Sequence, residues 1–193
     1  SIVSQGCRPI GDPMIVTKAE RNIIEQLGGR PALQQLKEIF QRLPPHEQEL
    51  AQHGLHLGRT VSESRDRFEA GDFLVRNVIG VDHESEAIAV GDFVRVGQTV
   101  QFHIRDEQSA HDDLVEQLSR SGAPQTAQAA LVFTCNGRGS RLFPDPHHDA
   151  ALIREYCGDV PLAGFFAGGE LGPIGGQNFV HGFTASTLLF LDP

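Results

Sequence analysis

The chain has 193 residues, 39% apolar and 21% charged, with a formal net charge of -9. That balance belongs to a folded domain, and an acidic surplus without a basic stripe argues against nucleic acid or an anionic membrane surface as a partner. No apolar run approaches the length of a membrane span and no charged-then-apolar leader opens the chain; its three cysteines, in no Cys-x-x-Cys spacing, suit a reducing cytoplasm.

Met14 to Thr17 and Asn22 to Leu27 are short apolar stretches around the polar Lys18-Ala19-Glu20-Arg21, a hairpin pattern stopped by Gly28-Gly29. Pro31 suits a first helical turn. Leu33, Leu36, Ile39, Phe40 and Leu43 recur at helical spacing, so Pro31 to Leu43 reads as an amphipathic helix ended by Pro44-Pro45. A weaker helical stretch follows from Glu47 to His53. The basic cluster Arg59 to Arg67, broken by Glu63 and Asp66, reads as a solvated face. Leu55 to Val61, Phe73 to Val81, Ala87 to Val90 and Thr99 to Arg105 are rich in Val, Ile and Phe and bounded by Gly-Asp or Gly-Gln turns, the pattern of strands. Gly-Asp-Phe occurs at Gly71 and again at Gly91, which is reused turn chemistry and not a solenoid repeat.

The pattern changes after Arg105, giving a sub-boundary near 106. Ser109 caps a helix that runs on Leu114, Val115 and Leu118 to about Ser121; Gly122-Ala123-Pro124 and the strand Ala129 to Cys135 follow, a β-α-β passage. Pro146 to Tyr156 is a second helix with Ala150, Leu152, Ile153 and Tyr156 as its apolar set and Gly158 as its stop. Val160 to Phe166 and Phe183 to Leu191 are the last strands. Strands first and helices interleaved late predict an α/β (α+β) fold: a mixed, largely antiparallel β-sheet with two or three helices packed on it.

Two Gly-rich strand ends carry the chemistry. An apolar run ends at Cys135-Asn136-Gly137-Arg138-Gly139, and a second ends at Gly164-Phe165-Phe166-Ala167-Gly168-Gly169-Glu170. Glycines let consecutive amides converge on an anion, and Arg138 offers a bidentate fork for a carboxylate or phosphate. If Glu170 faces the same cleft, the two grip the carboxylate and ammonium of a zwitterion, with Phe165 or Phe166 as an apolar wall. The competing reading is structural: Arg138 paired to Glu170 or Asp145 across a tight turn, and Glu170 capping nearby amides.

The spacings Cys-x-Gly-Arg-Gly at Cys135, Val-Pro-Leu-x-Gly-Phe-x-x-x-Gly-Glu from Val160 to Glu170, and Asn-x-x-His-x-x-Thr from Asn178 to Thr184 resemble the C-terminal half of the FIST domain. That domain is found beside F-box modules in eukaryotes and beside bacterial signal-transduction modules. Gly6-Cys7-Arg8-Pro9-Ile10-Gly11, Val16-Thr17 and Leu27 to Leu33 are similar to the start of that half, so the resemblance covers nearly the whole of residues 1–193. It implies an intracellular sensory domain binding a small, amino-acid-like ligand or carboxylate. Cys135, Asn136, Gly137, Arg138, Gly139, Gly164, Phe165, Gly169, Glu170, Asn178, His181 and Thr184 are expected to line one depression. Since the chain opens on Ser1 without a methionine, the resemblance further suggests a fragment of a larger protein, with the FIST N-terminal half and signalling proteins as partners. Arg105-Asp106 resembles another family motif, but adjacent strand residues point to opposite faces, so a salt bridge or turn is the reading there.

No cofactor is implied, since Gly137 to Leu142 fits neither a Walker loop nor a dinucleotide fingerprint. A Cys-His hydrolase would need Cys135 and His181 together, yet no nucleophile signature surrounds Cys135, which reads as a small buried hydrophobe. His147-His148-Asp149 invites a metal, but adjacent helical histidines diverge, and an exposed first turn with Asp149 complementing the helix dipole fits better. The expectation is a binding module and not an enzyme; the alternatives are a protein-interaction platform of the F-box-associated type and an N-terminal-nucleophile hydrolase acting through Ser1.

Overall fold

The computed structural model describes residues 1–63, 68, 70–122 and 127–191. The end of the basic cluster, residues 64–67, and the Ala123-Pro124 break lie outside the described residues. The chain forms two compact units, Cys7–Arg105 on one side and Ser1–Gly6 with Asp106–Pro193 on the other. The α+β class holds, with strands in three sheets and four α-helices among the described residues.

In the unit Cys7–Arg105 a sheet closes on itself. Its strands are β2 (Cys7–Glu20), β3 (Ile23–Leu27), β4 (Arg30–Pro31), β5 (Leu55–Thr60), β6 (Phe73–Asp82), β7 (Ala87–Val90) and β8 (Thr99–Arg105), in the order β2-β8-β5-β6-β7-β3-β4. β2 is much longer than the hairpin arm predicted from sequence. Its first part pairs with β8 and its last part with β3, through register shifts that bend it from one neighbour to the other. Helices α1 (Ala32–Arg42) and α2 (Pro45–Gly54) belong to the same unit, with Leu33 and Leu36 in the core beside Leu57, Phe102 and Ile104. α1 ends because Leu43, which precedes Pro44, is extended (φ -69°, ψ 145°) as the pyrrolidine ring demands of the residue before it. Pro45 then opens α2, where its missing N–H costs nothing.

The other unit carries β1 (Ile2–Ser4), α3 (Glu107–Arg120), β9 (Ala127–Cys135), α4 (His148–Cys157), β10 (Leu162–Ala167), β11 (Glu170–Ile174), β12 (Gln177–His181) and β13 (Ala185–Leu191). Its sheet runs β1-β13-β9-β10, and β11–β12 is a separate hairpin. Ala130 and Val132 of β9 pack with Leu114 and Leu118 of α3 and Leu152, Ile153 and Cys157 of α4. Two sequence expectations change here, and one hairpin is added. The cap of α3 is Asp106, whose carboxylate accepts the Ser109 N–H at 2.6 Å, so Ser109 is the capped residue and not the cap. β8 and β9 lie in different sheets, so the parallel β-α-β unit is β9-α4-β10, in unbroken register from Leu162↔Ala130 to Ala167↔Cys135. Finally, Gly175 and Gly176 (φ 57° and 80°) make the two-residue turn joining β11 to β12, a hairpin to which the sequence reading assigned no element.

Candidate functional site

Arg138 points inward. β9 ends at Cys135, whose carbonyl accepts the Arg138 N–H at 2.8 Å, and Gly139 follows at φ 58°. A methyl group on Gly139 would come within 2.9 Å of the Phe166 ring, so glycine is required there both by conformation and by close approach. The Arg138 side chain is 0% exposed. Its Nε donates to Asp149 Oδ2 at 2.8 Å and its Nη2 to Oδ1 at 2.7 Å, a bidentate buried pair. The guanidinium lies 5.2 Å from the Phe143 ring centre, and a Cβ on Gly6 (φ 63°) would sit 2.9 Å from Nη1. His148 stacks on Phe143 with centroids 3.6 Å apart, places Nδ1 3.1 Å from Asp149 Oδ1, and meets His111 Nδ1 through Nε2 at 2.9 Å. Burial works to raise the pKa of Asp149, but the hydrogen bonds from His148 and Arg138 and the guanidinium charge outweigh it and hold the carboxyl at about 2. The partner of Arg138 is thus neither Glu170 nor Asp145, and Asp149 is not an exposed dipole group.

Glu170 is buried as well, at the start of β11 and opposite His181 in the hairpin register. Its Oε2 accepts from the Thr184 hydroxyl at 3.0 Å and from the Thr184 N–H at 3.3 Å. Burial raises the Glu170 pKa against the opposing bonds of Thr184 and Cys135 and the charge of Arg138. The Thr184 carbonyl accepts the Cys135 N–H at 2.9 Å, and the His181 ring donates through Nε2 to the Gly172 carbonyl at 2.9 Å. Cys135, Arg138, Glu170, His181 and Thr184 therefore form the polar interior of this unit.

A cleft of about 770 Å³ lies between α4 and β10. Of the residues singled out from sequence, Gly139, Gly164 and Phe165 line it. Asn136, Gly169 and Asn178 are exposed outside it, Gly137 is half-buried outside it, and the polar interior residues do not reach it. His147, Ala150, Ala151 and Arg154 supply the helix wall; Leu162, Gly164 and Phe166 supply the strand wall, and Val132 and Thr134 of β9 complete the lining with Asp149 and Pro146. Spacing explains the split of α4 into two faces. Residues 147, 150, 151 and 154 follow the i, i+3, i+4, i+7 rule toward the cleft, while Leu152, Ile153 and Cys157 face the interior and Asp149, buried against Arg138, also borders the cleft. Two alanines leave room, and Arg154, exposed at the end of the row, makes no ion pair among the described residues. The sequence signal missed was this row of small residues bracketed by His147 and Arg154; the apolar count of the helix drew attention to its other face. Among the described residues no group of three or more His, Cys, Asp and Glu side chains is placed to hold a metal ion, and no helix is long and apolar enough to cross a membrane.

The family model of the FIST C domain matches residues 32–173, and that of the FIST N domain matches residues 1–30. Sequence reading assigned residues 1–193 to the C-terminal half, whereas β1, inside the stretch that matches the N domain, pairs with β13 in the sheet of the site. An uncharacterized protein of Mycobacterium tuberculosis (strain H37Rv) is 50% identical over 194 residues, spanning 100% of this chain and 51% of its own length. One from Mycobacterium bovis is 50% identical over 193 residues, spanning 99% of this chain and 50% of its own. The chain thus spans about half the length of the curated relatives it matches. No solved structure matches it significantly.

Proposed function

This chain belongs to the FIST family, and from that premise we propose that it is a sensory module of signal transduction whose ligand, a small carboxylate of amino-acid type, binds in the cleft between α4 and β10. The observation that carries this reading is Arg154: an exposed guanidinium without an ion partner among the described residues, in a cleft whose walls include Ala150, Ala151, Leu162 and Phe166 and whose one carboxylate, Asp149, is already paired with Arg138. A volume of about 770 Å³ falls in the range of small-molecule sites, which combine apolar walls with a few placed polar groups. His147 stands on the same helix face and can add a second donor. Arg138, by contrast, is buried and holds Asp149 through Nε and Nη2, and it does not line the cleft, so it is not assigned to the ligand there.

The role is binding without turnover. What supports this is that His181 donates through Nε2 to the Gly172 carbonyl and that the Cys135 sulfur accepts the Gly137 N–H at 3.4 Å, structural engagements of the two groups a Cys-His pair would need. All three cysteines are free, which suits the reducing cytoplasm proposed for it. The test is isothermal titration of the chain and its Arg154→Gln variant with N-acetyl amino acids and small carboxylates. The reading expects a binder whose affinity falls at least about tenfold in the variant, the loss of a charge-assisted pair. Equal affinity for both proteins would remove Arg154, and with it the cleft, from the site.

A further inference from the structure

We infer that the carboxylate in this cleft is the end of an extended peptide, which adds as a strand to the free edge of β10. The inference rests on the proposed ligand cleft and gives its ligand a backbone.

β10 closes one side of its sheet: it pairs with β9 alone, in regular parallel register, so the N–H and C=O groups of its outer edge find no strand partner among the described residues. Natural edges are blunted by charge, proline or a bulge. Leu162-Ala163-Gly164-Phe165-Phe166-Ala167 has none of these, and Phe165 and Phe166 are 64% and 53% exposed. Such an edge is built to be paired. The whole run Leu162 to Phe166 borders the cleft opposite Ala150 and Ala151, so the cleft follows the edge of β10, and in strand alternation Leu162, Gly164 and Phe166 share one face. A strand laid along β10 would therefore direct every second side chain over the same cleft, the arrangement in which main-chain bonds supply affinity and alternate pockets supply specificity. Gly164 leaves a gap between Leu162 and Phe166, and no larger residue could hold that place, since a Cβ there would lie 1.8 Å from the Val132 carbonyl oxygen. The charge of the occupant follows from complementarity. On a chain of net charge -9 the cleft presents Arg154 without an ion partner among the described residues, so it favours a peptide with a terminal or side-chain carboxylate over an uncharged or basic one.

The experiment uses the whole 193-residue chain, isotopically labelled for NMR, and four probes: the peptide acetyl-Thr-Leu-Thr-Val-Thr-Leu with a free carboxylate, its C-terminal amide, the same peptide N-methylated at alternate residues, and N-acetyl-leucine. The free-acid peptide is expected to bind at least about tenfold tighter than N-acetyl-leucine, to lose about that factor on amidation or on N-methylation, and to protect the β10 amides from exchange. An N-methylated peptide that binds as well as its parent, or N-acetyl-leucine that matches it, overturns the strand-addition inference and leaves the small-ligand cleft standing. Binding by none of the four overturns both. If the free chain already protects β10, and Phe165→Lys abolishes that protection while converting a dimer to a monomer, then a second copy occupies the edge and the peptide inference falls.

Discussion

Arg138 and Arg154 lie in the same unit, on either side of the first turns of α4, and have opposite fates. Arg138 is closed off by Asp149, Phe143 and Gly6; Arg154 faces an open cleft across two alanines. The difference teaches what the glycines of Gly137-Arg138-Gly139 are for. Gly139 admits the Phe166 ring, and the turn it allows leaves the guanidinium buried against Asp149. A cation flanked by glycines is here a structural element, and a cation among alanines is the exposed one.

The sharpest way to break that comparison is to remove one member of the buried pair. Arg138→Ala and Asp149→Ala should each cost about 3–5 kcal/mol in urea unfolding, because each leaves an uncompensated charge, and the joint replacement Arg138→Met with Asp149→Leu should restore most of the loss. If Arg138→Ala unfolds like the parent chain, the guanidinium is not held inside.

Acid should expose the buried polar groups in a fixed order. Burial lowers the pKa of His103 from its ordinary 6.5 to about 4, against a hydrogen bond with the Gln101 carbonyl. Between those values the unfolded chain binds a proton that the folded chain refuses, so stability is lost as the pH falls from 6.5 toward 4, by about 3 kcal/mol. Asp149 acts lower, its contribution being lost only as the pH falls from 3.8 toward 2. Glu170 has the opposite sign: with its pKa raised above 4.5, its stabilising protonated form is lost as the pH rises through that range. Denaturation midpoints measured across this span should flatten between 6.5 and 4 in His103→Gln; an unchanged slope would place the acid sensitivity elsewhere.

Smaller effects sharpen the boundary between interior and cleft. Gly139→Ala meets both a positive φ and the Phe166 ring, and should cost about 1–2 kcal/mol while displacing Phe166 into the cleft. Arg154→Gln should change stability by less than about 0.5 kcal/mol, as a surface substitution does, and act on binding alone.

Much of the fold was legible because periodicity and punctuation agreed. The Leu33 to Leu43 spacing and the Pro44-Pro45 stop located α1, and strands β7 and β8 fell where their Val and Ile runs placed them. β1 and the β11–β12 hairpin were not legible: β1 is three residues long, and Leu171 and Val180 in the hairpin are exposed, so neither leaves a clear buried alternation. The family motifs drew the eye to Arg138 and Glu170, whose charges suggested a ligand. What the motifs could not convey is that Asp149, in the next helix, pairs with Nε and Nη2 of Arg138, and that Thr184, before the last strand, donates to one oxygen of Glu170. A sequence offers no measure of such long-range pairing, and it hid Arg154 among ordinary helix-surface residues.

The most direct test of the account is a chemical-shift map of the labelled chain titrated with the carboxylate probes, run in parallel on Arg154→Gln and on the paired Arg138→Met, Asp149→Leu protein. The account predicts perturbations at Ala150, Ala151, Arg154, Gly164 and Phe166 that vanish in Arg154→Gln, whose melting temperature is unchanged, and persist in the paired variant. Perturbations centred on Arg138, Cys135 and Glu170, lost in the paired variant and retained in Arg154→Gln, would contradict it.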